Sequence, residues 1–174
     1  MYPNLTQLQR RCLPIECRPM ISSDIDTLCR MQLDDDAESM DRIHFVKRMS
    51  CSHWKVYVAI PTRMDHRFPT PGDPVGFIAC GFFAGVTRIE RIAVHPWARR
   101  ERIATRLWSH MLVKIPRGYE TVHATVRERN IAAQPWLRFV GMTLVSVKQN
   151  AYADPDRQWE REDGYVFEGR VVTI

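Results

Sequence analysis

Two strand-like runs meet at Ala84-Gly85, and the second turns directly into a helix; few folds allow that order. The run "VGFIACGFFAGV", Val75 to Val86, carries no charge and is rich in aromatic and β-branched residues. It is too short to cross a bilayer and reads as strand. The pattern predicts strands over 75–83 and 86–95, joined as a hairpin at Ala84 and Gly85. After Pro96 a basic turn leads into a helix over about 100–114, with Ile103, Leu107, Met111 and Ile115 on one stripe.

The rest of the chain supplies more strands for that hairpin and more helices to cover it. A short strand is expected at 15–19. Ser23 stands three residues before Asp26, a capping-box spacing, and Ile25, Leu28 and Cys29 share a face, so a helix is expected at 22–33. A second helix follows at about 38–49 with Met40, Ile43, Val46 and Met49 inward, then a strand at 54–60. The segment 61–74 holds four prolines and a glycine and reads as an exposed loop. A strand at 119–126 precedes a short helix from near Asn130 to Gly141, with Pro135 in its first turns. Strands at 143–150 and 165–172 flank an acidic, exposed loop, 153–163. With 174 residues the chain is long enough for one domain with a real core. The economical architecture is α/β: a mixed sheet with helices on both faces, in a single domain over 1–174.

Charge narrows the ligand class without naming it. The formal net charge is +5, which suits a nucleotide, a nucleic acid or a membrane surface. Five cysteines, Cys12, Cys17, Cys29, Cys51 and Cys80, are odd in number and lack CxxC spacing, so reduced thiols are expected, with no zinc site or other metal. The first twenty residues contain no apolar h-region. A cytoplasmic protein without a membrane anchor is the expectation.

The basic turn concentrates this charge. "IAVHPWARRERIATRL", Ile92 to Leu107, holds Arg99, Arg100, Arg102 and Arg106 within eight residues. The first N–H groups of a helix have no internal partners, and the helix dipole adds positive potential there. A diphosphate can take those N–H groups while arginines close over it with paired donors. The same charges also suit a merely solvated helix start. An RNA- or ribosome-binding face would instead spread basic and aromatic residues over a surface, which makes nucleic acid the less favoured partner.

The segment "RIAVHPWARRERIATRL" resembles motif A of the GNAT superfamily, the Gcn5-related N-acetyltransferases. Val94 and Pro96 fit the strand end, Arg99 the Arg/Gln position and Ala104 the last small position; Arg102 stands where the first glycine belongs. "VRERNIAAQPWLRFVGM" is similar to motif B of the ribosomal-protein N-terminal acetyltransferases, with Asn130, Ala133 and Gly141 in register. "NAYADPDRQWEREDGYVF" is similar to that branch's ending, through Tyr152, Glu162 and Asp163. The resemblance implies motif A at 86–114, motif B at 119–141 and closing strands over 143–172. It implies a GNAT fold with a twisted, mostly antiparallel sheet of six to seven strands. It also implies acetyl-CoA as cosubstrate and a primary amine as acceptor, a peptide or protein amino terminus being favoured. The implied acetyl-CoA contacts are Ile92, Ala93, Val94, Arg99, Arg100, Glu101, Arg102, Ile103, Ala104, Thr105 and Asn130. An arginine at position 102 keeps its N–H in place provided its φ is negative.

Amide formation from a thioester needs a base for the amine and an acid for the departing thiolate. The positions where the resemblance would put them hold Leu137 for the acid and Thr125 or Arg88 for the base, side chains unfit for the task. Substitutes lie nearby. Glu90 is two residues from Arg88 and His123 two before Thr125, so each is expected on the same strand face as the residue it would replace. Tyr152 either lines the acceptor site or donates to the thiolate. The plainer roles are an ion pair for Glu90, a packed or exposed strand position for His123 and a strand aromatic for Tyr152. His95 and His110 read as surface residues, Trp108 and Trp136 as packing residues. A non-catalytic acyl-CoA-binding protein is the alternative to an enzyme.

Overall fold

The computed structural model describes residues 13–33, 45–47, 51–63, 72–153 and 161–171. Seven strands form one sheet: β1 (Ile15–Pro19), β2 (Trp54–Pro61), β3 (Gly76–Phe83), β4 (Val86–Val94), β5 (Thr121–Arg127), β6 (Thr143–Ala153) and β7 (Arg161–Arg170). Their order is β1-β2-β3-β4-β5-β7-β6, and every adjacent pair is antiparallel except β4 and β5. The helices among the described residues include α1 (Ile25–Leu33), α2 (Ile103–Leu112) and α3 (Ala133–Phe139).

β3 is central because its sequence is apolar on both faces; Gly76 to Phe82 are all buried. Ile78, Cys80 and Phe82 point to one face, where Ile103, Leu107 and Met111 of α2 cover them. Phe77 and Ala79 point to the other, against Leu28 and Met31 of α1 and Phe45, whose ring meets Phe77 edge-on at 6.2 Å. Each such side chain, fully buried, contributes about 1.5–3 kcal/mol. The hairpin turns at Ala84 and Gly85, with φ of 48° and 78°, the left-handed pair of a type I′ turn.

Several expectations need correction. The first helix begins as a 3-10 turn, Ser22–Asp24, and its start is fixed by Asp24, not by Ser23 and Asp26. Asp24 Oδ2 accepts the Ile21 N–H at 2.8 Å and is also bonded by Arg18 at 2.7 Å. Residues 45–47 are helical, and Phe45 rather than Val46 is the buried side chain; Met40, Ile43 and Met49 lie outside the described residues. The acidic segment is not all loop. β6 runs to Ala153 and β7 starts at Arg161, so Glu162 and Asp163 sit within a strand.

Candidate active site

The parallel pair β4 and β5 diverges part-way along its length. They pair only over Val86–Ile89 and Thr121–Ala124, yet both strands run on, to Val94 and Arg127. A cavity of about 360 Å³ fills the opening, lined by residues of β4, β5, α3, β6 and β7. A β-bulge adds to the divergence. Cys80 pairs with Ile89 and Ala79 with Arg91, so Glu90 falls between the two registers. The strict alternation that places Glu90 on the same face as Arg88 is therefore broken at Glu90 itself. Glu90 is exposed and lines the cavity.

The basic turn lies beyond the end of β4. A 3-10 turn, Pro96–Ala98, leads to Arg99, whose Nε donates to the Val94 carbonyl at 3.2 Å. Arg100 and Arg102 are exposed, and both adopt left-handed backbone, φ 69° and 58°. The proviso attached to Arg102, a negative φ, is thus not met: its backbone is left-handed, the region that favours glycine. The helix proper starts after it, at Ile103. Ile103 is buried and Ala93 packs in the opposite core, so only the backbone of either is left to face a ligand. Thr105 accepts from the Trp136 indole N–H at 3.3 Å, and Trp136 packs edge-on against Trp108 at 5.9 Å.

Two of the turn's charged residues reach away from the gap, to β1. Glu101 Oε2 accepts the Leu13 N–H at 3.1 Å. Arg106 donates to the carbonyls of Leu13 at 3.0 Å and Ile15 at 2.6 Å. Arg106 also opposes the burial that pushes the Cys17 thiol up.

On the other side of the gap, His123 Nε2 lies 2.9 Å from Glu168 Oε2, its cross-strand neighbour on β7. The Tyr152 hydroxyl donates to the Thr125 carbonyl at 3.1 Å, and the Arg127 guanidinium lies over its ring at 4.5 Å. A β-bulge around Asn150, φ 53°, bends β6 and brings Tyr152 there; the Asn150 N–H donates to Asp163 at 2.8 Å. Gly164 makes room for the ring, because a Cβ there would lie 3.0 Å from Thr125 Cγ2 and 3.1 Å from Tyr152 Cε2. Glu162 holds Arg127 at 3.3 Å and the Arg129 N–H at 2.6 Å. Asn130 Oδ1 accepts the Ala133 N–H at 3.1 Å, capping α3, and the residue lines the cavity.

Glu90, His123, Tyr152, Asn130 and Ile92 thus line one cavity, as do Leu137 and Thr125. His110 is not a surface residue; it is half-buried against Tyr57, ring centroids 5.1 Å apart, and burial pushes its pKa down. Glu168, Arg127 and Lys148 went unread in the sequence. Only strand pairing brings them to the site, since Glu168 is 45 residues from His123. The described residues contain no cluster able to hold a metal ion, and no described helix is long and apolar enough to cross a membrane.

Residues 32–142 match the family model described as acetyltransferase (GNAT) family. No curated protein sequence matches the chain significantly. Among solved structures, the ribosomal-protein-S18-alanine N-acetyltransferase of Escherichia coli aligns with a TM-score of 0.75 at 17% identity, over 92% of this chain and 96% of its own. NAA60 of Arabidopsis thaliana, solved with acetyl-CoA, gives 0.77 at 17%, over 90% and 98%. Ard1 of Thermoplasma volcanium gives 0.74 at 19%, over 91% and 99%.

Proposed function

The chain belongs to the acetyltransferase (GNAT) family, and from that premise we propose that it transfers an acetyl group from acetyl-CoA to a primary amine, with a peptide or protein amino terminus as acceptor. The observation that carries the proposal is the gap between β4 and β5 with the amino end of α2 beside it. Beyond Ile89 the β5 side of β4 faces that gap, so the peptide groups of Ile92, Ala93 and Val94 can bond an extended pantetheine arm. The Arg99 N–H donates to the Pro96 carbonyl, so the backbone N–H groups of Arg100 to Thr105 suit the diphosphate, with the Arg100 and Arg102 guanidinium groups able to close over it.

Acetyl-CoA supplies a thioester. Attack by the neutral amine nitrogen forms the amide C–N bond and breaks the C–S bond; nitrogen gives up one proton and the thiolate takes one. Glu90, at the bulge beside the gap, is the proposed base. His123 is a proposed relay: a neutral imidazole that donates Nε2–H to Glu168 has Nδ1 as its acceptor. Tyr152 is the proposed acid only if its hydroxyl leaves the Thr125 carbonyl. That engagement favours the alternative, a protein that binds acyl-CoA without turning it over.

One set of measurements separates the two. CoA at about a hundredfold excess over Kd should stabilise the fold by about 2.7 kcal/mol. Thiol release against a panel of amines should be slow, and faster at higher pH because more amine is neutral. Glu90→Gln should lower kcat/KM at least about tenfold, roughly 1.4 kcal/mol of barrier, and His123→Ala should lower it less. CoA binding with no thiol release from any amine would leave the non-catalytic reading in its place.

A further inference from the structure

The helices cover the two faces of the sheet unequally. Among the described residues, α2 packs along one face, whereas α1 and Phe45 pack on the other face only over β2, β3 and the end of β4. The remaining half of that second face is the floor of the cavity. Register gives its rows. Arg88, His123 and Glu168 lie across β4, β5 and β7; Thr125, Val166 and Ser146 form the next row; Arg127, Gly164 and Lys148 the one after.

The charges in these rows do not balance. Glu168 faces His123, and Glu162 holds Arg127 and Arg129. Among the described residues no carboxylate lies within ion-pair distance of Arg88 or Lys148; Arg88 sits over the Phe83 ring at 6.0 Å. With Arg127 held by Glu162, the cavity lining keeps Arg88 and Lys148, beside Arg91, against one lining carboxylate, Glu90. Such a surplus repels a cationic acceptor, lowers the pKa of an incoming ammonium and so favours the neutral amine, and attracts a carboxylate carried with it.

Distance selects which carboxylate. Lys148 is on β6, two strand spacings from β5, or about 10 Å. One extended residue spans about 3.3–3.6 Å. The carboxylate adjoining the amine of a single amino acid falls short of Lys148, whereas an acidic side chain on the second or third residue of an extended peptide reaches it. Resting on the acetyl-transfer reading above, we propose that the acceptor is a peptide amino terminus with an aspartate or glutamate within its first three residues, selected by Lys148 and Arg88.

The test uses the intact chain, acetyl-CoA and peptides identical except for Glu, Gln or Lys at positions two and three, with thiol release as readout. The Glu peptides should show kcat/KM at least about tenfold above the Lys peptides, with Gln between, and the ratio should shrink toward one near 1 M salt, where the screening length is about 3 Å. Lys148→Glu, an exposed position whose folding is checked by melting, should invert the preference. Arg88→Glu should reduce it. Equal rates for the three series, or a preference unmoved by Lys148→Glu, overturn the inference alone. Free aspartate or glutamate acetylated as fast as the peptides overturns its peptide part. No thiol release from any acceptor while CoA binds overturns the transfer reading, and this inference with it.

Discussion

Arg102, at φ 58°, and Ala84, at φ 48°, hold the same awkward conformation for different reasons. At Ala84 the twist of the hairpin demands it. At Arg102 the chain must leave a 3-10 turn and start a helix within a few residues, directing the first N–H groups toward the gap. A side chain in left-handed backbone costs about 1–2 kcal/mol relative to the right-handed form, and glycine avoids most of that. Arg102→Gly should therefore raise stability by up to about 1 kcal/mol, the gain being trimmed by the greater freedom of glycine in the unfolded chain. Denaturant titration measures it, and a loss of stability would show that the guanidinium holds the turn. That position 102 stands where motif A carries glycine was legible from the resemblance, aligned through Pro96 and Ala104. The sign of its φ was not, because an arginine is compatible with either conformation until the flanking turn and helix are fixed. Glu168 was illegible for another reason: nothing near it in the chain indicates a histidine two strands of sequence away.

At the scale of the element, α3 shows how a short helix is fixed from both ends. Seven residues have little helical preference of their own. Asn130 caps the start, and the end is a Schellman arrangement: Gly141, φ 90°, donates to the Arg138 carbonyl and Met142 to the Leu137 carbonyl at 2.9 Å. Asn130→Ala should cost about 1 kcal/mol by thermal or urea denaturation, and it should also disturb the cavity that Asn130 lines. The stop at Gly141 was readable because glycine there has one economical use. The start was read three residues early, since a capping asparagine lies outside the helix that it caps. β7 was misread because an acidic run resembles solvated loop. Its carboxylates instead bond within the sheet, Glu162 to Arg127 and Asp163 to the Asn150 N–H. No local pattern distinguishes those cases.

Across the whole molecule, two cores share one sheet and meet at β3. The order of elements follows from apolar periodicity and from the strand–turn–helix, which is why it was legible; the gap, like the strand order, depends on pairing between distant segments. The charge on the open half-face was not legible, because it depends on which strands become neighbours. Burial at this centre pushes the Cys80 thiol up to about 12, with Lys55 opposing. A thiol raised in the folded state ionises first in the unfolded chain, so its contribution to stability is complete below about pH 8.5 and fades as pH rises toward 12. The urea midpoint should fall over that window, and Cys80→Val should flatten the fall; an unchanged slope in the variant would assign it to other groups. The grip of Glu101 and Arg106 on Leu13 and Ile15 joins the basic turn to β1, an edge strand three places away from β4 in the sheet. Linkage is reciprocal, so a ligand that steadies the turn must also steady that strand. Saturating CoA should slow hydrogen exchange at the Leu13 amide, and Arg106→Ala should weaken that protection. An amide at the rim of the sheet would then report occupancy of a site it never touches.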